Sequence, residues 1–169
     1  IPYAHTLKAR AAIHSSWNDN NVSGEYNWPV AAFFAEWAWR NPGRPWAEAL
    51  PVAVESFYGQ GTACLAEAIR FLGDINRYFG WAAIGLSSPG FNLFFGAMQP
   101  HLLNEDAKNR LQQFRKDWAS AKGKMEEARK HTKRNQSHLD YFELSFAQQK
   151  AIADMAECRH LLAQRNKES

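Results

Sequence analysis

Residues 104–131 read NEDAKNRLQQFRKDWASAKGKMEEARKH, and this stretch decides the fold class. Its apolar residues recur at alternating spacings of four and three, which places them along one side of an α-helix. Asn104 can cap the first turn through its side-chain oxygen, and Glu105 and Asp106 suit the positive end of the helix dipole. We therefore predict a helix from about Asn104, with an apolar seam that faces a partner helix. The predicted seam comprises Ala107, Leu111, Phe114, Trp118, Ala121, Met125 and Ala128.

A second helix with the same spacing comes after a short polar turn at residues 131–136. Ser137 and Asp140 resemble a capping box, with Asp in place of the usual Glu or Gln. Because short loops make antiparallel neighbours, we predict a long antiparallel helical hairpin. The second seam is predicted to comprise Tyr141, Leu144, Gln148, Ala151, Met155, Cys158 and Leu162. The predicted contacts place Leu111, Phe114 and Trp118 against Met155, Cys158 and Leu162.

The first third of the chain predicts a strand and then helices. Residues 10–17 are small and apolar and precede a run of Asn and Asp, which is typical of a short strand and its loop. Pro29 suits the first position of a helix that is apolar nearly all round and so should be buried. That helix should end at residues 41–43, Asn-Pro-Gly.

Two more helices are predicted before residue 80. Pro45 opens one of them, and Pro51 should break or restart it before Tyr58. The other runs from Thr62 to Tyr78 by its apolar period. Residues 80–100 are rich in Gly, Pro, Ser and Phe and predict an ordered apolar connection.

Composition narrows the class of protein. Of 169 residues, 46% are hydrophobic, which is typical of a globular chain, and the formal charge of +3 is too near neutral to indicate nucleic-acid binding. No run approaches the roughly 18 apolar residues of a membrane span. Cys64 and Cys158 are expected to be buried thiols, and no Cys/His spacing indicates a zinc site. Because the chain opens with Ile1, we expect it to start inside a longer polypeptide.

Three charged motifs have competing interpretations. Glu157 and His160 match the Glu-x-x-His of metal-binding bundles, although no second copy exists and a solvated charged face is favoured. Residues 129–134 form a basic cluster, which suits a helix end better than it suits phosphate. Glu36 lies among aromatic residues, and an ion pair to an arginine is favoured over catalysis.

The segment Trp17-Asn18-Asp19 carries the sharpest chemical hypothesis. An indole can stack on the apolar face of a sugar ring, while carboxylate and amide groups bind its hydroxyls. The alternative is a core tryptophan followed by a polar turn. Local chemistry alone leaves both interpretations open.

Three motifs together resemble the close of a family-20-type glycoside hydrolase barrel, the fold of β-N-acetylhexosaminidases. The family ends its eighth barrel strand with Trp-Gly-Glu or Trp-Asp-Asp, and Trp17-Asn18-Asp19 is similar to it. An Ala-Glu-x-x-Trp helix comes next, which here is matched by Ala35 to Trp39. A later helix ends in Tyr-Gly, like Tyr58-Gly59. Some bacterial members add an all-helical domain. Asn18 departs from both common signatures, and Asp19 stands where many members have Glu, so the identity of the terminal sugar stays open.

The resemblance implies a mainly α chain with two parts. Residues 1–60 would supply the closing strand, loop and helices of a (β/α)8 barrel, and residues 61–169 an all-helical carboxyl-terminal domain. Trp17, Asn18 and Asp19 would bind a terminal N-acetylglucosamine or N-acetylgalactosamine. The family's catalytic Asp-Glu pair and polarising Tyr precede the matched region, so this chain would contain no catalytic residue and be inactive alone.

The implied partner is the remaining barrel of the same enzyme, in the same parent chain or as a companion fragment. No cofactor, metal, nucleic acid or membrane is implied. The alternative hypothesis is a non-enzymatic helical protein-interaction module, in which the aromatic first segment merely packs on the helices. The two differ in what should cover residues 28–39, because a barrel helix needs a sheet and a module helix needs only the hairpin.

Overall fold

The computed structural model describes residues 28–39, 44–73, 78 and 101–168. Within these ranges the chain is mainly α, as the sequence predicts, and holds no strand. None of the helices in this part of the chain is long and apolar enough to cross a membrane. The predicted strand at 10–17 and the whole connection at 80–100 lie outside the described residues. The helices are α1 (Trp28–Trp39), α2 (Trp46–Tyr58), α3 (Leu65–Gly73), α4 (Glu105–His131) and α5 (His138–Glu168).

The described residues divide into two compact units. The first unit holds residues 28–39, 44–66 and 124–142. The second unit holds residues 67–73, 78, 101–123 and 143–168.

The predicted helix starts at Trp28, at Pro45 and after Asn104 are confirmed. The Asn104 side-chain oxygen accepts a hydrogen bond from the backbone N–H of Ala107 at 2.8 Å, which is the predicted cap. The predicted break at Pro51 is wrong, because Pro51 lies inside α2. A proline there removes one backbone hydrogen bond. The buried face of α2, which includes Leu50 and Val54, holds the helix together across that gap.

Helix α3 is shorter than the predicted span from Thr62 to Tyr78. The reason is the turn that precedes it. Gly59 and Gly61 have φ angles of +118° and +83°, which residues with a side chain rarely adopt. The Thr62 hydroxyl donates to the Gly59 carbonyl at 2.6 Å, which ties this turn together and delays the helix to Leu65.

Aromatic residues dominate the core of the second unit. The Phe71 ring stacks on Phe146 with centroids 5.8 Å apart and lies 5.6 Å from Phe114. Tyr78 packs edge-on against Phe114 at 5.6 Å. Trp118 packs edge-on against Phe146 at 5.9 Å, and its indole N–H donates to the Phe146 carbonyl at 2.9 Å. These rings join α3, α4 and α5 within this unit.

The predicted seam of α4 is buried, except that Trp118 is only half-buried. The predicted seam of α5 is wrong, because Leu144 and Leu162 are 55% and 50% exposed. Cys158 is also exposed, and Cys64 is half-buried, so the expectation of buried thiols is wrong for Cys158. Each predicted position is replaced by a buried residue one place later, namely Phe142, Ser145, Gln149, Ile152, Ala156, Arg159 and Ala163. Leu139, Phe146 and Ala153 are buried beside them.

The physical reason is that α5 carries two sets of residues with the same helical spacing. The buried set contains Phe142 and Phe146, which remove more apolar surface from water than Tyr141 and Leu144 would. Trp118 therefore faces Phe146, whereas the sequence placed it against Met155, Cys158 and Leu162.

Polar contacts follow the same register in the second unit. Lys122 binds Glu143 at 2.5 Å, and Arg115 binds Asp154 at 2.9 Å. Arg115 also binds Glu157 at 2.5 Å. In these contacts, α4 residues with lower numbers bind α5 residues with higher numbers.

Candidate functional site

The predicted sugar-binding residues Trp17, Asn18 and Asp19 lie outside the described residues. Helices α1 and α2 come next along the chain, and the structure describes them as a pair. Phe33 of α1 packs edge-on against Trp46 of α2, with ring centroids 4.9 Å apart. This pair is the part of the structure from which a candidate site can be built.

Trp28, the first residue of α1, is held by the end of α2. Its indole stacks on Phe57 at 4.5 Å with an interplanar angle of 11°, and it packs edge-on against Tyr58 at 5.6 Å. Tyr58 is fully buried, and burial raises the pKa of its hydroxyl well above the ordinary value, which the nearby Trp28 opposes only in part. The Trp28 indole nitrogen and the Tyr58 hydroxyl are both buried without a hydrogen bond of normal geometry. This end of α1 is thus fixed by ring packing.

The other end of α1 is fixed by an ion pair. The Arg44 guanidinium donates from Nε to one Glu36 oxygen at 2.7 Å and from Nη2 to the other at 3.1 Å. The hydrogen bond to Glu36 raises the pKa of Arg44. The Glu36 side chain is 16% exposed. The predicted ion pair between Glu36 and an arginine is confirmed. Because the pair is bidentate, it fixes Glu36 of α1 to Arg44, which is a structural role.

A cleft lies beside this ion pair. Its volume is about 170 Å³, and Glu36 and Arg44 form its polar edge, with Phe33 and Trp46 among its apolar walls. Typical small-molecule sites measure roughly 300–1,000 Å³. The cleft is smaller than that range, and the Glu36–Arg44 ion pair at its edge holds α1 in place.

The basic cluster of residues 129–134 lies at the end of α2. Arg134 donates to the Ser56 carbonyl at 2.7 Å, and Asn135 donates to the Phe57 carbonyl at 2.8 Å. The backbone N–H of Lys133 donates to the Tyr58 carbonyl at 3.0 Å. Helix ends leave such carbonyls unpaired unless an outside group binds them. Cations also complement the negative end of the helix dipole, so the favoured interpretation of this cluster gains support.

Three further basic residues of the cluster contact carboxylates of the same unit. Arg129 pairs with Asp140 at 3.1 Å, and Lys130 and His131 both contact Glu127. These contacts, together with the bonds from Arg134, engage the side chains of Arg129, Lys130, His131 and Arg134 with groups of the protein itself.

The two ends of the Glu-x-x-His motif on α5 are engaged with other groups. Glu157 accepts from Arg115, and the His160 Nδ1 accepts from the Leu103 backbone N–H at 3.1 Å. Arg159, between them, is buried, and burial lowers its pKa. In the described ranges, no cluster of three or more His, Cys, Asp or Glu residues is placed to hold a metal ion.

Sequence reasoning missed a polar groove in the second unit. Its volume is about 490 Å³, and Glu67, Arg70 and Asp117 lie in its walls. The Tyr78 hydroxyl donates to one Asp117 oxygen at 2.7 Å, and the Gln113 amide donates to the other at 2.9 Å. Gln113 and Asp117 lie four residues apart on α4, but Tyr78 and Asp117 come from separate segments, and no local spacing signals their contact.

Comparisons with known proteins returned no match. No family model, no curated protein and no solved structure is similar to this chain.

Proposed function

We propose that this chain is the carboxyl-terminal portion of a retaining, exo-acting β-N-acetylhexosaminidase and contributes one wall of its sugar pocket. The observation that supports this most is the local structure of the Tyr58-Gly59 motif. Tyr58 is fully buried against Trp28, and Gly59 has a φ of +118°, which only glycine adopts readily. Both residues of the motif thus have a physical reason to occur together at the end of α2.

The helices that carry the other motif residues support the same proposal. Glu36, the glutamate of the Ala-Glu-x-x-Trp pattern, joins α1 to Arg44 just ahead of α2. Trp28 anchors the start of α1, and Asp19 lies only nine positions before it in the sequence. Nine residues of chain reach at most about 30 Å. The chain length therefore allows Asp19 and the start of α1 to be at most about 30 Å apart.

In the proposed enzyme, Trp17 stacks on the apolar face of a terminal N-acetylglucosamine or N-acetylgalactosamine, while Asn18 and Asp19 bind its hydroxyls. The acetamide oxygen of the sugar attacks the anomeric carbon as the glycosidic bond breaks, and water then opens the cyclic intermediate with net retention. The acid that protonates the leaving group belongs to the remaining barrel. This chain supplies binding and alignment, not proton transfer.

We further propose that residues 1–60 close a (β/α)8 barrel and that α4 and α5 form the antiparallel hairpin of an all-helical addition. Within the second unit, the contacts of Lys122 with Glu143 and of Arg115 with Asp154 support the antiparallel direction. Within the first unit, the contact of Arg129 with Asp140 supports a tight turn between the two helices.

The experiment is an assay of the parent polypeptide that contains residues 1–169, with a chromogenic β-N-acetylglucosaminide and its β-N-acetylgalactosaminide counterpart. We expect the chromophore to be released. NMR of the reaction should show that the free sugar first appears in the β-configuration. A matched β-glucoside lacks the acetamide and should not be cleaved. Equal cleavage of the glucoside, or a parent no larger than 19.3 kDa that is inactive on every sugar, would contradict the proposal.

A second candidate function, a helical protein-interaction module, is favoured by one observation. Leu144, Leu161 and Leu162 on α5 are each at least 50% exposed. Apolar side chains grouped on one surface commonly mark a binding surface. An active parent enzyme whose sugar kinetics depend on Trp17 would favour the glycosidase, and a parent without activity would favour the module.

A further inference from the structure

A short segment ahead of α4, residues 101–103, is joined to α5 by two hydrogen bonds within the second unit. The His101 backbone N–H donates to the Arg159 carbonyl at 3.2 Å. The Leu103 backbone N–H donates to the ring Nδ1 of His160 at 3.1 Å. The Leu103 side chain is buried, so apolar contact adds to these bonds. The chain is thus held against α5 directly before α4 begins.

The bond from Leu103 to His160 requires a neutral imidazole ring. A ring nitrogen accepts a hydrogen bond only through a free lone pair, so the proton of the neutral His160 ring must be on Nε2. In the imidazolium form both ring nitrogens carry a proton, and neither can accept. Protonation of His160 therefore replaces the acceptor of the Leu103 N–H by a second donor that faces it.

We infer that His160 is a pH-sensitive latch for residues 101–103, which it holds on α5 when its ring is neutral and releases when its ring is protonated. Imidazole is the side chain that ordinarily changes charge between pH 5 and pH 8. The bond from His101 to Arg159 joins two backbone groups and does not titrate. Release therefore loosens the segment at Leu103, while α4 and α5 stay folded. The inference does not depend on the proposed glycosidase function.

The sign of the pH dependence follows from proton binding. The ring takes up a proton without loss of a hydrogen bond only when the segment is released, so falling pH favours release. From α4, the charged group that acts on His160 is Glu105, which is exposed and binds Lys108 at 2.6 Å. Its attraction favours the charged ring, the form that cannot accept from Leu103. The segment itself carries one other imidazole, that of His101.

The charged neighbours of His160 on its own helix act in opposite directions. Glu157, one turn before it on α5, is already bound by Arg115 at 2.5 Å. Arg159, the preceding residue, is a cation and disfavours a second positive charge beside it. The direct bond from Leu103 to the titrating atom is the contact that a proton on Nδ1 removes.

NMR of the 169-residue chain at pH 8 and at pH 5 tests the latch. The readout is the protection of the Leu103 amide against hydrogen exchange, corrected for the intrinsic effect of pH on exchange. Loss of one neutral hydrogen bond should lower this protection by about 2- to 12-fold at pH 5. The amide of Leu111, inside α4, should keep its protection. Nitrogen-15 shifts of the His160 ring should show a proton on Nε2 alone at pH 8 and on both nitrogens at pH 5.

Three variants assign the response to the ring of His160. In His160→Asn, the amide oxygen lies at about the position of Nδ1, accepts the same bond and does not titrate, so Leu103 should be equally protected at both pH values. His160→Leu removes the acceptor and should leave Leu103 weakly protected at both. His101→Gln removes the other imidazole near this bond and should leave the wild-type response unchanged. Circular dichroism checks that each variant is folded.

The inference is overturned if Leu103 in the wild-type chain is equally protected at pH 8 and pH 5, whether or not the His160 ring has become charged. A His160→Leu variant that protects Leu103 as well as the wild type does at pH 8 would show that the ring does not hold the segment. A response that persists in His160→Asn but disappears in His101→Gln would assign the titration to His101 and refute the latch.

Discussion

The replacement of Phe146 by Ala tests the register of α5 most severely. Phe146 is fully buried, stacks on Phe71 at 5.8 Å and packs against Trp118 at 5.9 Å. Removal of a buried phenyl ring costs the lost transfer free energy plus the cavity term, about 3–5 kcal/mol. For a chain of this size each kcal/mol lowers Tm by roughly 2–4 °C, so the total should be about 6–20 °C.

Urea unfolding followed by circular dichroism at 222 nm measures this loss. The Trp118 indole should report it too, because its fluorescence depends on the ring that packs against it. Gln164→Ala, at an exposed position on the same helix, is the control and should change stability by less than about 0.5 kcal/mol. A loss below about 1 kcal/mol for Phe146→Ala would refute the buried register and restore the one predicted from the sequence.

Three further outcomes are expected from the contacts and from the motifs. The double variant Arg134→Ala/Asn135→Ala leaves the Ser56 and Phe57 carbonyls without their donors, so the end of α2 should fray. Urea melts should show that the unfolding free energy falls by about 1–3 kcal/mol. The control variant Arg165→Ala should have little effect. Hydrogen bonds from Lys150 and Arg115 lower the pKa of Asp154 below its ordinary 3.8, so its stabilisation is present above that pH and is lost as pH falls through the lowered pKa. The difference in unfolding free energy between the wild type and Asp154→Asn, at most about 1 kcal/mol for such exposed pairs, should therefore shrink between pH 5 and pH 2 in urea melts; a constant difference would contradict this sign. The isolated chain should show no turnover of an N-acetylglucosaminide, because the catalytic Asp-Glu pair is not expected in it; turnover that survives mock purification would contradict that expectation.

The buried face of a helix could be predicted where only one set of apolar residues had helical spacing. Asn104 and the acidic residues after it mark the start of α4, and only one set of apolar residues with helical spacing comes after them. Helix α5 carries two such sets, one residue apart, and spacing alone cannot choose between them. The choice depends on Phe71 and Trp118, which belong to other helices and receive Phe146.

The candidate site could be predicted less fully for a related reason. A carboxylate among aromatic residues must find a cation, so an arginine partner for Glu36 follows from elementary electrostatics. The identity of that arginine does not, because Arg44 lies eight residues on and beyond the end of α1. Arg134 caps α2 from 78 residues away, a contact that no sequence window contains.

The glycosidase proposal is tested most directly by the kinetics of Trp17→Ala and Asp19→Ala in the parent enzyme. Loss of the indole removes the contact that positions the sugar, so KM should rise and kcat should fall as the acetamide loses alignment. Loss of the Asp19 carboxylate removes a hydrogen bond worth about 1.5–3 kcal/mol, or roughly 10- to 150-fold in kcat/KM. Asp19→Asn should lose less than Asp19→Ala, because an amide still accepts one bond. Gln164→Ala should be unchanged. If both alanine variants are folded and keep the wild-type kcat/KM, the loop does not touch the sugar and the proposal is wrong.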